Sequence, residues 1–545
     1  MPMNDFILFH HAAAHRVNAV DGAEHANGSR SGPATPITAR RQPVARAAMW
    51  ALTLASASAL LAGCASTSYE RPALTVPASY ASASPASAGL AEGGEGSASA
   101  NPSREQPPAL SPWWLAFDDP ALHQLIREAL ARNNDLAQAA LRVRRAQFVA
   151  GQAASDQLPT VSLQGNSSAS RPLDGGDTTR LNSASLGLSW EADLWGRVAA
   201  LRSAADWEAQ ATEEDRLAVA LALVGTTARL HWQVAYLNQR VEASQQSIDY
   251  ARRTLELVQA QKGQGAVSGL EVAQATQALA AQEAAHTQFL LQRTQARNAL
   301  AILFDGPPGV ALGEANRLPE GALPEVPAGA PAELLNRRPD LRAAELRLRK
   351  TLAQVDATRA AAFPKLTLTG SVGGSSTELS RVLADPVGTL GAGLLLPFVQ
   401  WRDVQRNIDI SKTDHELAVR GFRQSWYTAL SEVDNALASR LRYEQQGERL
   451  QAAVSAARDS ERLSEARYRA GAVPLKTWLD AQETRRQAEN NLALNRFNRL
   501  DALITLYQAA GGGLGDVEGA APTAASVSAS SAATSANPAN RLPPR

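Results

Sequence analysis

The stretch LPTVSL, Leu158 to Leu163, returns 205 positions later as FPKLTL, Phe363 to Leu368. Each copy opens on an apolar residue and a proline, then alternates apolar with small or polar side chains. Period two is the mark of a strand with one apolar face. Around this pair the chain repeats on a larger scale. Asn134-Asp135-Leu136 matches Pro339-Asp340-Leu341 at the same offset. Gly187 and Trp195 match Gly393 and Trp401 at offset 206, and Gly265-Ala266-Val267 matches Gly471-Ala472-Val473 at 206 as well. Anchors that keep one order in both halves mean an internal duplication. Each half reads helix, two strands, long helix, helix.

The strand pattern is consistent across the four candidates. Val161 and Leu163 alternate with Ser162 and Gln164; Leu186, Leu188 and Trp190 alternate with Gly187, Ser189 and Glu191. Leu366 and Leu368 alternate with Thr367 and Thr369, and Leu394, Leu396 and Phe398 carry the pattern on. A soluble sandwich would show the same alternation. Only four strand candidates exist, however, and a membrane barrel needs about eight. A water-filled barrel would therefore need strands from several copies, polar faces inward and apolar faces toward lipid. Arg171–Arg180 and Thr377–Val387 would then be outward loops; Asp174-Gly-Gly-Asp177 reads as a solvated loop rather than a calcium site.

Proline placement defines the helices. None occurs from Leu173 to Gly306, from Phe398 to Val473, or from Leu475 to Ala521. Proline breaks helix interiors, so these runs, rich in Ala, Leu, Gln, Glu and Arg, permit very long helices. Arg197–Gly263 as one helix would measure on the order of 100 Å at 1.5 Å per residue, and Arg402–Ala470 is similar. Such lengths call for helices bundled side by side. The expected fold class is mainly α with a pair of membrane β-hairpins.

Cys64 is the only cysteine among 545 residues, and it follows an apolar run, AAMWALTLASASALL, Ala47–Leu61. The run suits a signal-peptide core and is too short to span a bilayer as a helix. Arg40, Arg41 and Arg46 supply the preceding charge, and Leu61-Ala62-Gly63-Cys64 reads as a lipobox. The expected modification is a diacylglycerol thioether plus an N-acyl chain on Cys64. A basic region of more than forty residues before such a core is unusual, so we expect the true start nearer Val44. Of 53 basic and 53 acidic residues, five and three precede Cys64, leaving 48 and 50 and a net charge of −2. That balance offers nucleic acid no footprint. All three methionines also precede Cys64, which leaves soft-metal chemistry without thiolate or thioether ligands. His123, His231, His286 and His415 are scattered without ligand spacing, and no nucleophile, phosphate-loop or zinc motif emerges. Neither an enzyme nor a cofactor is expected. Trp190, Trp195 and Trp401 read as interfacial anchors or strand-to-helix packing.

From Trp113 to Gly511 the sequence resembles the TolC/OprM-like outer-membrane factors, in the NodT-type lipoprotein branch that serves resistance-nodulation-division (RND) efflux pumps. The resemblance rests on Trp113-Trp114, Phe117, Asp119-Pro120, Leu122, Leu125-Ile126 and Asn134-Asp135-Leu136. It continues in Arg337-Arg338-Pro339-Asp340-Leu341, Tyr468-Arg469-Ala470-Gly471 and Leu479-Asp480-Ala481-Gln482. It implies a homotrimer with a twelve-stranded β-barrel in the outer membrane, four strands per protomer, and a periplasmic α-barrel of long antiparallel helices. It also implies a periplasmic adaptor and an inner-membrane RND pump as partners. Cys64 followed by Ala65 fits an outer-membrane address.

The resemblance further implies two helix-turn-helix tips, Gln261–Val272 and Tyr468–Asp480, that meet the adaptor. Gly265 and Gly471 suit tight reversals, and Ser268 and Pro474 suit the starts of the returning helices. The candidate contact residues are Gly265, Val267, Ser268, Tyr468, Gly471, Val473 and Pro474. Asp480 matches a family acidic position at the closed periplasmic end, with Thr477 where some relatives carry a second acid. Three copies of Asp480 would form a carboxylate ring favouring cations. The domain reading is a signal region 1–63, a lipid-anchored Ala/Ser/Pro-rich tether 64–112, a first repeat 113–310, a linker 311–330, a second repeat 331–511 and a disordered tail 512–545. The leading function is a passive trimeric duct for small molecules. A type I protein-secretion exit duct and a lipid-anchored periplasmic scaffold are the alternatives.

Overall fold

A computed structural model describes residues 67–77, 79–82, 112–310, 313–321, 323–324 and 337–512. Cys64, the signal region 1–63 and the tail from 513 onward lie outside the described residues. Among those described, the order is α1 (Pro120–Arg132), α2 (Asn134–Ser155), β1 (Thr160–Ser170), β2 (Thr179–Ala192), α3 (Arg197–Gly263) and α4 (Gly269–Ile302). The second half follows with α5 (Pro339–Ala360), β3 (Lys365–Ser376), β4 (Val387–Leu395), α6 (Trp401–Arg469) and α7 (Leu475–Ala509). The two Pro-free runs thus become single helices of 67 and 69 residues.

The two hairpins merge into one antiparallel sheet of order β1-β2-β3-β4. Residues directly opposite in an antiparallel ladder share a face. Leu163 faces Leu186, Leu186 faces Val372, Trp190 faces Leu368, and Leu366 faces Leu394. These side chains line one apolar face, and none of the described residues covers it: Leu163 is 81% exposed and Leu390 93%. The opposite face carries Ser162, Gly187, Ser185, Thr367, Ser371 and Gly393. The expected alternation past Leu395 does not hold. Pro397 has no N–H to give a ladder, and Pro397–Gln400 turns as a 3-10 helix, so Phe398 is no strand residue.

The helices repeat the order of the strands. Beside the sheet α2 packs on α3, α3 on α5 and α5 on α6; α2 leads into β1, β2 into α3, α5 into β3 and β4 into α6. Farther along, α4 packs on α3, α3 on α7 and α7 on α6. The core lies where these two rows meet. Trp113, Trp114, Phe117, Leu122 and Ile126 pack there with Trp232, Leu341, Leu348, Phe422, Trp426, Leu503 and Ile504. Trp113 stacks on Tyr507 with centroids 4.9 Å apart.

The duplication extends to the bonds that close each half. Asn133 caps α2 by accepting from Leu136 N–H and donates Nδ2–H to the Leu303 carbonyl, 3.1 Å away. Its counterpart Arg338 donates to the Ala509 carbonyl at 3.1 Å, to Glu432 at 2.7 Å and to Asp340 at 2.8 Å. Leu303 and Ala509 again stand 206 apart. Each half therefore ties the start of its strand-bound helix to the end of its returning helix.

The segment expected to be a loose tether is seated on the helices over its described part. Thr67 N–H donates to Asp356 Oδ2 at 2.9 Å, and Arg71 pairs with Glu345 at 2.7 Å. The Arg349 guanidinium lies over the Tyr69 ring at 4.8 Å, Tyr80 is buried, and Ser82 N–H reaches Asp434 at 2.8 Å. Composition alone reads as a tether; these anchors are scattered side chains that composition does not register.

Candidate functional site: the paired hairpin tips

The ends of α3 and α6 farthest from the sheet close by the same bonds. Ala266 N–H donates to the Gln261 carbonyl and Ala472 N–H to the Arg467 carbonyl, both at 2.9 Å. These six-to-one bonds are Schellman closures, which need a left-handed residue just past the helix. Gly265 at φ 74° and Gly471 at φ 73° fill that position. The returning helices start differently. Ser268 forms a capping box with Glu271, the Ser268 hydroxyl accepting from Leu270 N–H at 3.1 Å and Ser268 N–H donating to Glu271 at 2.9 Å. Pro474 occupies the cap of α7 without a side-chain bond.

One small core joins the two tips. Val258, Ala275, Tyr468, Leu475 and Trp478 are buried in it, with Val267 and Val473 packed against them. Tyr468 stacks on Trp478 at 5.3 Å, and Tyr250 meets the Trp478 ring edge-on at 6.3 Å. Tyr468 is only 8% exposed. It therefore positions the tip rather than offering its ring outward, unlike the other contact candidates. Gly265, Ser268, Gly471 and Pro474 are exposed, Val267 and Val473 half-buried, and Leu270, which the sequence reading passed over, stands 63% exposed beside them.

Above the tips, α3, α4, α6 and α7 border a cleft of about 1470 Å³ lined by Arg253, Gln277, Glu461, Asp480, Glu483 and Arg486 among others. Its charges are largely paired. Arg485 bonds Glu461 and Glu489, the latter at 3.0 Å, and Arg458 reaches Glu489 at 2.9 Å. Burial, with the carboxylates of Glu461 and Glu465 beside it, pushes the Tyr250 hydroxyl up to about 12, so it stays a neutral donor. Asp480 is exposed on α7 and held by Lys476, one turn earlier, at 2.8 Å. Thr477 is exposed next to Lys476. Lys476 was missed in the sequence, although its i,i+4 spacing from Asp480 is legible there. The structure brings Asp480, Thr477 and the α7 cap together on one end of one helix. It places Gly265, Val267 and Ser268 on the neighbouring hairpin. No group of three or more metal-ligating side chains occurs among the described residues.

No helix is long and apolar enough to cross a membrane among the described residues. A sheet with one bare apolar face, two free edges, and 67- and 69-residue helices running from it defines the protomer of a shared barrel channel. The chain belongs to the outer membrane efflux protein family, whose pattern matches residues 125–304 and 330–512. It is 36% identical to the pyoverdine export outer membrane protein OpmQ of Pseudomonas aeruginosa, over 74% of this chain and 87% of that one. It is 33% identical to the toluene efflux pump outer membrane protein TtgC of Pseudomonas putida, over 76% of this chain and 88% of that one. The outer-membrane channel OprN superposes with a TM-score of 0.71 at 25% identity, covering 82% of this chain and 99% of that one. The Neisseria gonorrhoeae MtrE outer membrane channel in its open state superposes at 0.68 with 28% identity, covering 83% and 98%.

Outer membrane efflux proteins work as trimers, with a periplasmic adaptor and an inner-membrane RND pump. The chain is thus an outer-membrane duct of a tripartite efflux system, lying in the outer membrane and extending into the periplasm. Three copies bring twelve strands to the barrel. The family is a passive channel family, not an enzyme family.

Proposed function

We propose that this duct passes small organic molecules handed to it by the pump and adaptor, and that the paired tips are where it is engaged and opened. The relatives named above are a pyoverdine export protein and a toluene efflux protein; a comparable range of small organic molecules is the cargo class for this chain. The observation that carries the reading is the shared core of the two tips. A contact on either turn is transmitted to the other through Tyr468 and Trp478, and so reaches the α7 face that bears Asp480. The exposed Gly265, Ser268, Gly471 and Pro474, with Val267 and Val473, form the adaptor-facing edge. Three copies of Asp480, with Thr477 beside them, ring the periplasmic mouth, and Lys476 tempers that ring's charge.

Cys64 carries the lipid in this reading. Thr67 supports it: its seat on Asp356 lies nine residues before β3 begins at Lys365, close to the level where the strands start. Expression in a strain lacking its own duct, with a dye-accumulation readout, tests the whole. Restored dye export by the intact chain, and no export by a chain with both turns replaced by unrelated loops, is expected. Export that survives the loop replacement would sink the role of the tips.

A further inference from the structure

The sheet ends in two free edges, β1 and β4, and the row of helices beside it ends in the two helices joined to those strands, α2 and α6. When β4 of one copy pairs with β1 of the next, α2 and α6 of adjacent copies are brought side by side and antiparallel, because each is tied to its strand by only a few residues. Both helices carry an uncovered stripe at three- and four-residue spacing, the spacing of a helix–helix seam. On α2 the stripe is Leu141, Arg145 and Phe148, with Leu141 63% and Phe148 66% exposed. On α6 it is Ile410, Asp414 and Leu417, with Ile410 58% and Leu417 64% exposed.

The two stripes match in order and in depth. Counting away from the sheet, α2 presents Phe148, Arg145, Leu141, and α6 presents Ile410, Asp414, Leu417: apolar, charged, apolar on both. Phe148 stands 7 residues from the sheet end of α2 and Ile410 stands 9 from that of α6; Leu141 and Leu417 stand 14 and 16. At 1.5 Å per residue the two apolar levels differ by about 3 Å and the Arg145–Asp414 level, 10 residues against 13, by about 4.5 Å, which the short connections to the strands and the long charged side chains can absorb. Among the described residues, neither Arg145 nor Asp414 makes an ion pair within the protomer.

We infer that α2 of one copy packs on α6 of the next through Phe148 against Ile410 and Leu141 against Leu417, with Arg145 paired to Asp414 between them. The seam extends the strand joint into the helices. It sets the rotational register of neighbouring copies before the barrel closes.

Cysteine pairs test it in the full chain in membranes, where Cys64, the lipid carrier in this reading, is the only native cysteine. Phe148→Cys with Ile410→Cys is expected to form covalent dimers and trimers on mild oxidation. Phe148→Cys with Leu417→Cys, one level off, and each single variant are expected to form none. Arg145→Asp is expected to lose the cross-link, and adding Asp414→Arg to restore it. Amine-reactive cross-linking reports trimers independently of the seam. Trimers by that measure without the Phe148–Ile410 disulfide would overturn the seam and leave the family reading intact; absence of trimers would overturn both.

Discussion

The Tyr468 hydroxyl donates to Gln261 Oε1 at 2.7 Å, tying the last turn of α6 to the last turn of α3. The two residues are 207 apart in the chain and belong to opposite halves of the duplication. The tips therefore behave as one body. Tyr468→Phe removes only this bond, at about 1 kcal/mol. Trp478→Ala empties the shared core, at about 3–5 kcal/mol. Hydrogen exchange of residues 258–275 should quicken in both variants, more in the second, although neither change lies in that hairpin. Unchanged exchange there would show two independent tips.

Gly265→Ala and Gly471→Ala test the turns. Nothing lies within 4 Å of an added Cβ at either position, so the cost is backbone strain alone. A left-handed alanine costs about 1 kcal/mol. Limited proteolysis should cut the altered turn faster while the trimer stays intact. The double variant should lose about twice as much as either single one, by the same measure.

Asp480→Ala should lower single-channel cation conductance and abolish block by multivalent cations. Lys476→Ala should deepen that block, because Asp480 then faces the mouth uncompensated. The pair is exposed, so neither change should cost more than about 1 kcal/mol of stability. Equal conductance and block in all three proteins would remove Asp480 from the gate.

Asp119 caps α1 through the N–H groups of Ala121 and Leu122 and pairs with His231 at 2.9 Å, where His231 is 1% exposed. Burial works to raise the Asp119 carboxyl, but His231 and the two amides outweigh it and hold it below its ordinary 3.8. A lowered carboxylate stabilises the fold above its unfolded pKa, and that contribution fades as pH falls through the folded value. Melting temperature should therefore drop below about pH 4 in the natural protein. Asp119→Asn keeps a cap acceptor without the charge, so its melting temperature should be lower at neutral pH and flatter in acid. Parallel curves for the two would count against the pair.

Much of the local structure was legible. Period-two alternation gave the strands a face, and proline-free runs set α3 at Arg197–Gly263 and α6 within one residue of its expected start and end. The duplicated glycines marked both reversals. The site was less so. Asp480 could be placed on its helix, and its partner Lys476 was within reach of a spacing rule. The burial of Tyr468 was not: Trp478, which stacks on it, stands in the same hairpin, but the partner of its hydroxyl, Gln261, and the core residues Val258 and Ala275 meet it only when a distant hairpin is brought alongside.

The sequence by itself determined which segments are helix and strand, where they reverse, and that the chain is two copies of one plan. These follow from backbone rules that act within a few residues. Only the tertiary structure decided that both hairpins form one sheet, that residues 67–77 and 79–82 lie bound along α5 and α6, and which edges remain free. Those depend on pairings across hundreds of residues, where many side chains must agree on one register before any single contact contributes to stability.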